Sequence, residues 1–206
     1  MDKDYLNKLL RITNKTPHVL GNETCHSFSI FIPLIKVNEH THILFETRSY
    51  QLRRQPGEIC FPGGRIDQNE KSDTAAIRET CEELRLKNDE ITLVGPLDFL
   101  VKPYEMIIYP YVGWINKELT EISPNPAEVD QIFSVPLSDL ITSEPEIYNI
   151  NFTATPADNF PFHLIPGGKN YNWRVRSQKE YFYFYKDKVI WGLTARILND
   201  FLENLK

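Results

Sequence analysis

The chain has 206 residues, with 23 Lys+Arg against 28 Asp+Glu and a formal net charge of −5. That balance excludes the polybasic footprint of a nucleic-acid or acidic-lipid binder, and an apolar content of 41% suffices for the core of one large domain. No apolar run approaches the ~18 residues that span a bilayer, and the charged opening "MDKDYLNKLLRITNK" lacks the apolar stretch and cleavage site of a signal peptide, so a cytoplasmic protein is expected.

Residues 2–13 read as a short amphipathic helix with Tyr5, Leu6, Leu9 and Leu10 turned inward. "SFSIFIPLIKV" (27–37) and "THILFETRS" (41–49) are rich in β-formers and read as two strands joined by a turn at "NEH". Pro33 has no amide hydrogen to give a neighbour, so the first strand is expected at a sheet edge or a bulge. A loop then leads to a helix from residue 73 to about 86, which Ser72 or Asp73 can cap. "ITLVGPLDFLV" and "MIIYPYVGWI" read as two further strands joined near "KPYE". Beyond a polar connection, "QIFSVPLSDLI" reads as a strand running into a helical turn at Pro136.

Residues 143–175 hold short strand-like pieces between Pro and Asn turns, with "IPGGKN" (165–170) expected as a hairpin turn. "EYFYFY" (180–185) alternates too weakly to assign a face. Residues 189–205 read as a closing helix with Ile190, Leu193, Thr194, Ile197, Phe201 and Leu205 along one side. Repeats, low-complexity tracts and dividing linkers are absent from the sequence. The pattern implies one α/β domain, a mixed sheet with helices packed on its faces.

The chemistry-bearing residues narrow the field. Three cysteines (Cys25, Cys60, Cys81), odd in number and without a CxxC pair, argue against a disulfide framework or a zinc site. The five histidines show no HExxH spacing, and no GxSxG elbow offers a nucleophilic serine. Carboxylates remain. In "RETCEEL" (78–84), Glu79, Glu82 and Glu83 stand three and four residues apart, which at about 100° per residue puts them on one helix face. Like charges at that spacing cost a helix roughly 0.2–0.5 kcal/mol per pair. Either water offsets that cost on an ordinary solvated face, or a cation sits there.

Gly64, Glu70, Arg78, Glu79, Glu82, Glu83 and Leu86 together resemble the Nudix box, G-x5-E-x7-R-E-U-x-E-E-x-G-U, with U a bulky aliphatic residue. Thr80 stands where U is expected and Arg85 where the second glycine is expected; the helix is expected to run past Arg85 to a stop at Asn88. A second stretch, "LFETRSYQLRRQPGEICFPGG" (44–64), resembles the pattern LLTxRS-x3-R-x3-G-x3-FPGG of the coenzyme A diphosphatase branch. Arg48, Ser49, Arg53, Gly57 and Phe61 to Gly64 align without a gap, Phe45 and Glu46 vary the opening, and Gln55 and Glu58 stand where that branch often carries His and Gln.

The resemblance covers roughly residues 25–200 of a single domain spanning 1–206, and it implies the Nudix α/β/α sandwich. It implies metal-dependent hydrolysis of a small-molecule diphosphate, coenzyme A first, with Mg²⁺ or Mn²⁺ held by Glu79, Glu82 and Glu83 and by the Gly63 carbonyl. Glu128 in "NPAEVD" is the candidate acid from a downstream loop, and Glu70 supports the loop–helix geometry. Arg48, Arg53 and Arg54 are the candidate contacts to the substrate's phosphates, since guanidinium pairs bidentately with phosphate oxygens. Rival readings are hydrolysis of ADP-ribose or a dinucleotide, and a module that senses a nucleotide or acyl-CoA without cleaving it. Nucleic acid and membrane are not expected partners.

Overall fold

The computed structural model describes residues 3–10, 19–21, 25–102 and 106–206. β-Branched and aromatic runs form the long strands β1 (His26–Val37), β2 (His40–Arg48), β7 (Met106–Ile115) and β8 (Val129–Pro136), joined by the shorter β3 (Ile59–Cys60), β4 (Gly63–Arg65), β5 (Ile91–Pro96) and β6 (Leu100–Lys102). They make one sheet of order β3-β2-β1-β7-β5, with β4 pairing β1, β6 pairing β7 and β8 pairing β2. The β1–β7 pair is parallel and the others are antiparallel, so the sheet is mixed.

Alternation along β1 and β2 divides the core between two faces. Phe31, Ile35 and Leu44 pack with Ala76 and Leu84 of helix α2 (Ser72–Leu84). Ile32, Leu34, Ile43 and Phe45 pack with Ala195, Ile197, Leu198, Phe201 and Leu202 of helix α4 (Gly192–Glu203). The result is the expected mixed sheet between helices. A second, three-stranded sheet, in the order β11-β10-β9, is built from β9 (Glu146–Phe152), β10 (Arg176–Tyr185) and β11 (Lys188–Trp191). Helix α3 (Leu137–Thr142) follows Pro136, as the sequence implies.

Several expectations are corrected by packing. Helix α1 (Lys3–Leu10) forms, but Tyr5, Leu6, Leu9 and Leu10 are exposed; residue 2 and residues 11–13 of the expected helix lie outside the described residues, as does most of "KPYE". β1 is central, not an edge. Its Pro33 is accommodated because the partners on one side change there: β4 pairs as far as Ile30 and β2 begins at Leu34. The closing helix starts at Gly192, after Lys188–Trp191 has paired with β10, so Ile190 is buried from a strand and Leu205 is exposed. "IPGGKN" lies within the long connection between β9 and β10 and ends in a short 3₁₀ turn rather than a tight hairpin.

Helix α2 is the element that positions the site. Its N-cap is Lys71, with no side-chain cap; the Ser72 carbonyl instead accepts the Ser29 hydroxyl at 2.7 Å, and the Ser72 and Tyr111 hydroxyls are 2.7 Å apart. At the other end the helix does not continue past Arg85. Arg85 adopts the left-handed conformation (φ 52°, ψ 43°), and the Leu86 amide closes on the Cys81 carbonyl at 3.0 Å. Leu86 is thereby buried with Leu84. The gain from burying Leu86 outweighs the cost of a non-glycine residue at positive φ, about 1 kcal/mol. Arg85→Gly is therefore expected to raise Tm by about 2–4 °C, the shift that 1 kcal/mol produces in a domain of this size. Thermal unfolding followed by circular dichroism checks it; a lower Tm would show that the Arg85 side chain contributes more than the strain.

Candidate active site

The glycine pair before α2 lets backbone and carboxylates meet. Gly63 has φ 153°, and a Cβ there would strike the Ser29 carbonyl oxygen of β1. A Cβ on Gly64 would strike the Glu79 carboxylate. With both side chains absent, the Gly63 amide donates to Glu83 Oε2 at 2.8 Å, and the turn lies directly against the acidic face of α2.

Arg78 organises the neighbouring acids. It donates from Nε to Glu70 Oε1 at 2.8 Å and from Nη2 to Glu70 Oε2 at 3.0 Å, a bidentate pair, and Nη2 also reaches the Arg65 carbonyl at 3.1 Å. Its Nη1 donates to Glu79 Oε1 at 2.8 Å and, more loosely, to Glu82 Oε2 at 3.4 Å. The bond to Arg78, helped by the Asp67 amide, holds the Glu70 carboxyl down to about 2. Glu70 thus fastens the loop to the helix.

The three glutamates of the helix do not share one environment. Glu82 is exposed, Glu79 is half-buried beside Arg78, and Glu83 is only 6% exposed. Burial pushes the Glu83 carboxyl up, and the charge of a fourth acid, Glu46, pushes it further. Burial also raises Glu79, against the pull of Arg78. Glu46 was not singled out by its position in the sequence. It is fully buried on β2, and burial pushes its carboxyl up against the opposing hydrogen bond from Cys60, whose Sγ donates to Oε1 at 3.2 Å. The signal in the sequence was an acid inside the apolar strand "HILFETR". Thr80, on the inner side of the helix, is buried and donates to the Ala76 carbonyl at 2.7 Å.

Glu128 is brought to the same cluster. Its backbone carbonyl accepts the Ser49 amide at 2.8 Å, and the Asn125 amide of the same loop donates to the Glu83 carbonyl at 2.8 Å. Its charge raises Glu46, Glu79 and Glu83 alike. The three arginines are not brought together. Arg48 is half-buried next to the acids and draws the Glu46 carboxyl down, whereas Arg53 and Arg54 are exposed on the loop after β2. On that loop the departing pair is internally matched, since Gln55 Nε2 donates to Glu58 Oε2 at 2.9 Å. Among the described residues, three buried side-chain atoms have no partner, and they fall on consecutive residues of β2: Glu46 Oε2, Thr47 Oγ1 and Arg48 Nε.

The model of the NUDIX domain matches residues 30–157 of this chain. The chain belongs to the Nudix family. Nudix hydrolase 3 of Caenorhabditis elegans is 28% identical over 205 residues, covering 97% of this chain and 82% of that one. The peroxisomal coenzyme A diphosphatase NUDT7 of Mus musculus is 35% identical over 124 residues, which is 60% of this chain and 51% of that protein. The human mitochondrial coenzyme A diphosphatase NUDT8 is 28% identical over 175 residues, 83% of this chain and 66% of its own length. The solved MutT/nudix family protein from Enterococcus faecalis shares the Nudix fold, with a TM-score of 0.52 and 14% identity over 100% of this chain and 70% of that one. No helix among the described residues is long and apolar enough to cross a membrane.

Nudix hydrolases generally use divalent metal ions. Among the described residues, no group of three or more His, Cys, Asp or Glu stands ready to hold one; Glu79 is turned onto Arg78 and Glu83 onto the Gly63 amide. The chemistry of the donors nevertheless fits. They are hard carboxylate oxygens gathered against mutual repulsion, and one buried oxygen has no partner.

Without metal, Glu46 and Glu83 hold protons in the native state at pH values where the unfolded chain has released them. The native state then binds more protons than the unfolded one, so unfolding free energy falls as pH rises above the ordinary carboxylate value of 4.5. The metal-free protein is expected to melt at a lower temperature at about pH 8 than at about pH 6, and Glu83→Gln to flatten that slope. Differential scanning calorimetry in a chelating buffer measures both; equal slopes in wild type and variant would show Glu83 ionised throughout.

Proposed function

We propose that this Nudix hydrolase cleaves the diphosphate bond of coenzyme A, giving 3′,5′-ADP and 4′-phosphopantetheine or its acyl form. The observation that carries the reading is the juxtaposition on β2 of an unpartnered buried donor, Arg48 Nε, with an acid cluster that contains an unpartnered acceptor, Glu46 Oε2. A phosphate oxygen answers the first and a cation the second, so a metal–diphosphate complex matches both. The similarity to two coenzyme A diphosphatases, NUDT7 and NUDT8, supports the choice of substrate.

In this reading Glu79, Glu82 and Glu83 of α2 hold Mg²⁺ or Mn²⁺, with the Gly63 carbonyl as a further oxygen and Glu128 as the acid from the downstream loop. An ion held by these residues would neutralise the diphosphate and lower the pKa of an attacking water. The water oxygen bonds to phosphorus and releases its proton to solvent while the bridging P–O bond breaks, and the bridging oxygen leaves with the electron pair as a phosphate oxygen of the other product. Arg78 holds Glu79 in place, and Glu70 holds Arg78. Arg48, beside the acids, contacts the diphosphate, and exposed Arg53 and Arg54 face the 3′-phosphate. The chain acts as one domain. An intact set of acids argues against a module that only senses its ligand, which has no need of them.

Glu82→Gln or Glu83→Gln is expected to lower kcat by at least about 100-fold, the scale of losing one strong electrostatic stabiliser, with the fold retained. Near-wild-type turnover in both variants would sink the metal assignment. A panel of coenzyme A, dephospho-coenzyme A, ADP-ribose and NADH, with product identification, tests the substrate. Charge-assisted bonds worth roughly 1.5–3 kcal/mol predict that losing the 3′-phosphate costs about 10- to 150-fold in kcat/KM. Arg53→Ala should reduce that discrimination, whereas Arg48→Ala should weaken both coenzymes alike. Better cleavage of ADP-ribose than of coenzyme A would leave a Nudix hydrolase of another diphosphate.

A further inference from the structure

Four features of Glu46 set it apart from the other acids. It is fully buried, and its Oε2 has no hydrogen-bond partner. Its Oε1 is tied down by the Cys60 thiol of the paired strand β3, where Glu46 and Cys60 are direct cross-strand partners. By alternation with Leu44 it faces α2, and its charge is the largest single charge acting on Glu83. Finally, it occupies the position where the coenzyme A diphosphatase pattern has threonine, so this chain adds a carboxylate that the pattern does not call for.

A carboxylate with a bare oxygen in a water-excluded strand is costly, and a strand interior does not retain one without compensation. The positive charge that acts on Glu46 is that of Arg48, whose Nε makes no bond to it. Cys60 is kept a neutral thiol by burial, so it can orient Glu46 but cannot balance the charge that Glu46 carries once its proton is released. A cation can.

Given the metal-holding role proposed above for the α2 glutamates, we propose that Glu46 is a further ligand of the divalent cation, with Oε2 the donor atom and Cys60 the residue that positions it. The cation site then spans two elements, the acidic face of α2 and the middle of the sheet. Glu46 raises metal affinity by adding a fixed negative oxygen whose side-chain entropy is already lost. The competing role, a proton shared between Glu46 and Glu83 with no metal contact, makes a different prediction, because a Gln at residue 46 keeps a hydrogen bond but not the charge.

The test is Mn²⁺ binding to the full chain, read from the electron paramagnetic resonance signal of free Mn²⁺, in wild type, Glu46→Gln, Glu46→Thr and Glu82→Gln. Glu46→Gln is nearly isosteric, and Glu46→Thr installs the residue of the pattern, so the two changes perturb the strand differently. Both are expected to bind Mn²⁺ at least about 10-fold more weakly than wild type. The rise in Tm on adding Mn²⁺ should shrink in both, while the metal-free Tm of Glu46→Gln should be at or above that of wild type. Wild-type affinity in either Glu46 variant, with Glu82→Gln weakened, overturns the role of Glu46 and leaves the α2 site standing. Wild-type affinity in Glu82→Gln overturns the α2 reading, and the role of Glu46 with it.

Discussion

The close approach of the Gly63–Gly64 turn to helix α2 is the constraint on which the site depends. Gly63 gives its amide to Glu83, and Gly64 leaves room for the Glu79 carboxylate. A side chain at either position would push the helix off the sheet and separate the acids from β2. The same docking is fixed at the other end of the turn by Arg78, whose two donors on Glu70 and third on Glu79 join loop and helix. Packing of Ala76 and Leu84 against Phe31, Ile35 and Leu44 then supplies the apolar burial that makes this arrangement stable.

What the docking achieves is electrostatic. Carboxylates from a helix (Glu79, Glu83), a central strand (Glu46) and a loop (Glu128) influence one another's ionisation. In water such charges would separate; here the sheet holds the groups in a medium that strengthens their repulsion, so Glu46 and Glu83 keep protons that free carboxyls have lost. A fold that keeps repelling groups together has accepted lower stability at that place, which is common where a cation or a reaction later uses the stored field. Arg48 at the rim of the cluster extends the logic, since an acidic pocket for a cation and a bare guanidinium for a phosphate suit a metal-bound anion better than either charge alone.

Much of this was legible in the sequence. The spacing from Gly64 through Glu70 to Glu83 is a local property, because helix pitch and a short loop fix how residues three, four and eight positions apart face one another. Strands β1, β2, β7 and β8 were legible for a related reason: their runs of β-formers are long enough to exclude a helix. Errors fell where a local pattern admitted two outcomes. "VIWGLTARIL" is apolar at helical spacing, yet its first residues pair with β10 as a strand. Arg85 suits a continuing helix by propensity, but Leu86 can be buried only if the chain turns there.

The sequence by itself therefore determined the family, the mixed sheet with its helices and the identity of the helix acids, because those rest on contacts between near neighbours in the chain. Only the tertiary structure decided that Glu83 is buried while Glu82 is open to water, that Arg48 parts company with Arg53 and Arg54, and that Glu46 joins the cluster. The charge of Glu46 acts on Glu83 from 37 residues away in the chain, through strand pairing and helix docking that no periodicity encodes. Burial and long-range charge are properties of the assembled layers, and they set which carboxylates can serve a cation.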